Sequence, residues 1–138
     1  MSIVLPIIIF LIISALFIWD IKRINPKRLE KEFEGRKRLS AEDFYEEYFK
    51  NTDIEINIVS GVREIFEEQF DADFSRLSAE DDLSENLSFL WSWDSMADVE
   101  IVIELEKKFG IKIQDDEAEE AKTIRDIIML VSNKLANA

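Results

Sequence analysis

Neither cysteine nor histidine occurs among the 138 residues. Those two absences remove disulfides, Cys/His zinc sites, thiol nucleophiles and serine-histidine relays together. Any thiol chemistry must use a thiol brought from outside the chain. Positive charge is also scarce over most of the length. Residues 41–138 carry nine Lys/Arg against 26 Asp/Glu, whereas residues 20–40 carry eight against four, and these contributions of -17 and +4 make up the net charge of -13. So acidic a body repels phosphate backbones, which argues against nucleic acid as a partner and for basic protein surfaces. Acidic clusters such as Asp115, Asp116 and Glu117 lack a calcium-loop spacing and read as solvated helix faces. With 47% hydrophobic residues, the chain has enough apolar material for one compact domain plus an appendage.

The appendage is SIVLPIIIFLIISALFIW, residues 2–19, an uncharged run of 18 residues of which thirteen are Ile, Leu, Val or Phe. On an insertion scale those thirteen favour the bilayer by roughly 4 to 8 kcal/mol, and ~27 Å of helix nearly spans the hydrocarbon. A cleaved signal peptide would begin with a basic region and end in small residues, and a core helix is rarely apolar around its whole circumference. The reading is a single-pass membrane anchor over residues 1–20. Lys22, Arg23, Lys27 and Arg28 follow it, so the positive-inside rule places the C-terminal body in the cytoplasm, with Trp19 at the interface.

Residues 21–53 read as a basic juxtamembrane spacer and an aromatic helix. Asn25 is a candidate cap, Pro26 suits a first helical position, and Gly35 a stop. The basic residues either rest on anionic headgroups or serve as a topogenic flank. Ser40 opens a helix on which Phe44, Tyr45, Tyr48 and Phe49 make one aromatic stripe, for packing on the body or for a partner or membrane.

Residues 54–138 read as a small all-α bundle with three main helices and a short one. Ile58, Val62, Ile65, Phe66 and Phe70 form the apolar face of the first long helix, and a long polar loop follows. The second runs from about Ser95 to Phe109 with Val99, Val102, Leu105 and Phe109 inward, Gly110 as its stop and Ile111 as the accompanying apolar contact. DDEAEE is a short helix at most. Thr123 caps the last helix, whose buried stripe is Ile124, Ile127, Ile128, Val131 and Leu135. No strand is expected.

The run DSMADVEIVIELEKKFGIKIQDDEAEEAKTIRDIIMLV resembles the second half of an acyl carrier protein, without a gap. Asp94-Ser95-Met96 stands where that family has Asp-Ser-Leu, and residues 56–87 are similar to its first helix and long loop. The resemblance implies that Ser95, flanked by Asp94, carries a covalent 4'-phosphopantetheine arm whose terminal thiol bears an acyl or aminoacyl cargo as a thioester. It implies partners of two kinds, a phosphopantetheinyl transferase and acyl-loading and acyl-transfer enzymes with basic surfaces, met by Met96, Val99, Glu100, Ile103 and Glu106. Lys107 and Lys108 depart from the acidic residues common there.

A helix start suits the attachment, because a phosphodiester would sit beside unpaired N–H groups and the positive end of the dipole. Ser95 with Asp98 also fits a plain capping box, which needs no modification. SFLWSW, between Leu87 and Asp94, is longer and bulkier than the family's connection. Trp91 and Trp93 can pack in the core, cover the bundle, contact cargo or obstruct the transferase. The expected function is a membrane-anchored carrier, not an enzyme; the alternative is an unmodified interaction or regulatory module of the same fold.

Overall fold

The computed structural model describes residues 3–22, 26–93 and 95–137, with the side chains of 16–22, 26 and 93 excepted. The described residues form eight helices: α1 Val4–Lys22, α2 Pro26–Glu32, α3 Ala41–Tyr48, α4 Ile56–Phe70, α5 Phe89–Trp93, α6 Ala97–Phe109, α7 Asp115–Glu120 and α8 Ile124–Ala136. Among the described residues there is no strand, only an isolated antiparallel bridge between Asp82 and Thr123.

The bundle is built on α4, which packs against α3, α6 and α8, while α6 also meets α5 and α8. Ile58, Val62, Ile65, Phe66 and Phe70 of α4 are buried at the expected helical spacing, as are Ile124, Ile127, Ile128 and Val131 of α8. Thr123 caps α8 in a reciprocal box with Asp126. Gly110, at φ 64°, ends α6 in the left-handed conformation that glycine enters without steric cost, and Ile111 packs beside it on the core. The short acidic helix α7 is likewise boxed, by Gln114 and Glu117.

The long connection from α4 to α5 is anchored by apolar side chains despite its polar composition. Phe74, Leu77, Ala79, Leu83 and Leu87 are all buried. Asp81, 3% exposed, accepts two bonds from Arg36, one from Asn86 and one from the Ser78 N–H. A buried carboxylate is tolerable only when it is so completely satisfied.

Two expectations need correcting. The stretch read as a spacer packs on the bundle: Leu29 and Phe33 of α2 and the turn after it enter the same core as Phe44 and Phe49. Two apolar residues four apart suffice to seat one helix face, and Glu30 and Arg76 close its edge. The aromatic stripe of α3 also packs inward, with the Tyr45 hydroxyl donating to the Ile54 carbonyl at 2.7 Å. The second correction concerns SFLWSW, which is helical over Phe89–Trp93 rather than part of the loop.

At the N-terminus, every Ile, Leu, Val and Phe from Ile3 to Ile13 is exposed, so α1 is no buried core helix. Among the described residues no helix is long and apolar enough to cross a membrane. The side chains of residues 16–22, Trp19 and Lys22 among them, and Arg23 and Asn25 altogether lie outside the described residues.

Candidate functional site

Ser95 is an exposed residue of the turn between α5 and α6. Local sequence fixes that turn from both sides. Leu90 is fully buried, and the Trp91 indole N–H donates to the Leu83 carbonyl at 2.8 Å while its ring lies 6.2 Å from that of Phe70. These contacts pin α5 to the bundle. Ala97, fully buried, pins the start of α6. Between these two anchors Ser92, Ser95 and Met96 are exposed.

The capping box expected of Ser95 and Asp98 does not form. The first helical residue is Ala97, its cap is Met96, and no side chain caps the helix. Asp98 instead accepts from the Val99 N–H at 2.8 Å. Ser95 stands two residues ahead of the helix because α5 dictates where the chain can turn. Asp94, its expected flanking residue, lies outside the described residues, as does the side chain of Trp93.

The α6 helix is rotated from the expected phase. Its buried residues are Ala97, Ile101 and Leu105, one per turn, with Val102 and Phe109 half-buried at the edge. Val99, expected inside, is 46% exposed, beside Met96 at 57% and Ile103 at 41%. Those three form an outward apolar strip. The two acids expected on that strip also have internal duties: Glu100 accepts from the Gln69 amide, and Glu106 accepts from the Ile113 N–H at 3.0 Å. Of the five residues expected on that face, three are exposed apolar surface and two are tied to the bundle.

A groove of about 690 Å³ opens between α5, α6, α7 and α8. Trp91, Val99, Val102, Ile113, Ala118 and Leu130 are among the side chains along it, and Ser84, Ser88 and Asp98 also line it. No single stretch of sequence shows it, because its walls come from several helices, Phe66 of α4 included, and from the loop before α5. The arrangement offers an exposed serine, an uncapped helix start two residues on and a largely apolar cleft lined in part by that helix. Among the described residues no cluster of acids suits a metal ion.

Residues 60–131 match the family described as a phosphopantetheine attachment site. The chain is similar to the acyl carrier protein of Thermosynechococcus vestitus, at 34% identity over 79 residues, covering 57% of this chain and 93% of that protein. The acyl carrier protein of an Exiguobacterium species is 33% identical over 78 residues, 56% of this chain and 94% of that one. That of Helicobacter hepaticus is 36% identical over 70 residues, 51% and 87% respectively. No solved structure matches. The residues present fit the attached group these similarities imply, since a serine at the turn before α6 is exposed and the cleft that α6 lines is largely apolar.

Proposed function

We propose, from the premise that the chain belongs to the acyl carrier protein family, that it is a membrane-anchored carrier with Ser95 as its attachment residue. Membership makes it a carrier rather than an enzyme, with covalently attached 4'-phosphopantetheine as its cofactor. When bound, that group supplies the terminal thiol that the cysteine-free chain lacks, on which acyl or aminoacyl cargo is held as a thioester.

The protein's own residues do the rest. Ser95 offers its hydroxyl from a turn that keeps it in solvent, with Asp94 as the flanking motif residue. The uncapped start of α6 leaves backbone N–H groups for a phosphodiester oxygen, favoured by the helix dipole. Met96, Val99 and Ile103 form the surface for the transferase and for acyl-handling enzymes, and Glu100 and Glu106 add negative charge that complements their basic faces. An acyl chain lodged in the groove would gain roughly 0.8 kcal/mol per methylene buried.

Residues 2–19 anchor this carrier, with the body on the cytoplasmic side. Support comes from the uncharged apolar run, the exposure of its apolar side chains from Ile3 to Ile13 and the basic residues that follow. Confinement to the bilayer raises the effective concentration of membrane-associated enzymes and cargo without requiring tight binding.

The observation that carries the reading is Ser95 itself, exposed and free of the capping role. Incubated with coenzyme A and a broad-specificity phosphopantetheinyl transferase, the protein should gain one phosphopantetheine by intact mass, and Ser95→Ala should gain none. No adduct in that reaction, nor in protein from the native host, would leave an unmodified interaction module. A reporter fused after Ala138 should be cytoplasmic, and release of the full chain from membranes by salt or alkali would defeat the anchor.

A further inference from the structure

The two ends of the bundle are distinguishable. Gln69, near the end of α4, donates to Glu100, near the start of α6, whereas Gly61 of α4 lies so close to Phe109 that an added Cβ would stand 2.8 Å from its ring. The two helices are therefore antiparallel. The end of α4 and the start of α6 share one end of the bundle, and Phe109 and Lys107 lie near the other.

The helix after the apolar segment docks at the first of these ends. Phe33, just past α2, packs on Phe74 with ring centroids 6.1 Å apart, Phe74 on Phe70 at 6.0 Å, and Phe70 on Trp91 of α5 at 6.2 Å. Arg28 of α2 lies over the Phe89 ring of α5 at 4.9 Å, and Asn86 donates to Glu32 at 3.1 Å. Helix α5 ends at Trp93, two residues before Ser95. On the other side, α1 ends at Lys22 and α2 begins at Pro26, four Cα steps that span no more than about 15 Å. The exit of the anchor and the attachment turn thus share one end.

Charge is sorted in the same sense. Glu30, 64% exposed, bonds to Arg76 and Glu32 accepts from Asn86; Glu34 is exposed in the same stretch as the exposed Lys27, Lys31 and Lys37, and residues 27–38 carry six Lys/Arg against three Glu. These lysines are part of the only basic stretch of a strongly acidic chain. A surface of that sign beside an apolar segment complements an anionic lipid leaflet.

From this juxtaposition we infer that α2 and α5 form the face that the carrier sets against an anionic lipid leaflet, holding the attachment turn toward the membrane. The inference rests on the reading of α1 as an anchor. It makes the body a seated carrier rather than a ball on a loose tether. Cargo at Ser95 is then offered to active sites at the membrane surface, while the Phe109 end faces the aqueous side.

The absence of cysteine permits a direct test. Ser92→Cys on α5 and Lys107→Cys near the far end of α6, separated by much of a helix about 20 Å long, would each carry a donor dye on the full-length chain. The chain is reconstituted into vesicles of phosphatidylcholine, with or without phosphatidylglycerol, containing an acceptor-labelled lipid. Energy transfer should be greater at 92 than at 107. The excess should grow with phosphatidylglycerol and shrink when Lys27, Lys31 and Lys37 are all changed to Glu. Equal transfer at both positions, in protein that stays with the vesicles through an alkaline wash, overturns the inference and leaves the anchor standing. An excess at 92 that ignores lipid charge and charge reversal overturns the anionic-leaflet assignment. Loss of the protein in the wash overturns the anchor, and the inference with it.

Discussion

Arg36 holds both carboxylate oxygens of Asp81, at 2.8 and 2.9 Å, and so ties the chain leaving α2 to the loop between α4 and α5. The same residue reaches α8, since the Asp81 carbonyl accepts from the Ile124 N–H at 3.1 Å. Three parts of the chain distant in sequence meet at one buried acid.

Removing that acid should be costly. Asp81→Ala leaves the Arg36 guanidinium, the Asn86 amide and the Ser78 N–H without their acceptor, and breaking a buried pair from one side costs about 3 to 5 kcal/mol. Arg36 is partly exposed, which favours the lower figure. Urea unfolding of a body starting at residue 26 measures it. A loss under ~1 kcal/mol would show that water replaces the carboxylate at little expense.

The α2 segment should be required for full stability. Phe33 is wholly buried, and Phe33→Ala should cost about 3 to 5 kcal/mol. A body starting at residue 41 loses Leu29, Phe33 and Arg36 together and should melt well below one starting at 26. Equal melting temperatures by circular dichroism would mean that α2 only rests on the surface.

Acid should destabilise the fold below about pH 4. Four carboxyls sit lower than their ordinary values: Glu30 through its bond from Arg76, Asp73 through Ser75, Asp82 through Ser84 and Glu117 through Lys134. Each contributes stability above its unfolded value, about 3.9 for Asp and 4.3 for Glu, that is lost as pH falls through the lower folded value. Glu67 acts oppositely. Burial raises it, so its contribution is present at low pH and fades as pH rises. Four against one sets the sign, although solvent keeps each exposed pair small. Melting temperature followed from about pH 6 to about pH 3 should fall at the acid end; a flat profile would show that these pairs are inert.

Legibility in the sequence tracked how one-sided each pattern is. On α4 and α8 the apolar residues occupy a single face, so the buried stripes, Gly110 and the Thr123 cap could be read directly. On α6, Val99, Ile101, Val102, Ile103 and Leu105 surround much of the helix, and periodicity alone cannot choose among faces. Packing selects Ala97, Ile101 and Leu105 and leaves Val99 and Ile103 to solvent. In α2 two apolar residues are diluted by charge and look like a spacer until the pocket that receives them is known. Asp81 resembles any acid of a polar loop; only the arrival of Arg36, 45 residues earlier in the chain, makes it a hub.

Ser95 separates a carrier from a plain helix cap by stability as well as by mass. A genuine cap accepts a bond from the backbone of the first turn, and its loss to alanine costs about 0.5 to 2 kcal/mol. Ser40 and Thr123 are such caps: Ser40 accepts from the Asp43 N–H at 3.1 Å and Thr123 from the Asp126 N–H at 3.0 Å. Ser40→Ala and Thr123→Ala should each be destabilising by about 1 kcal/mol. Ser95 is exposed and stands outside the cap position of α6, so Ser95→Ala should fall within about 0.5 kcal/mol of the parent, the range of an ordinary surface substitution. Denaturant midpoints of the unmodified proteins provide the comparison. If Ser95→Ala instead costs as much as the two caps, its hydroxyl holds the helix start, and a stability role would account for the serine without any attached group.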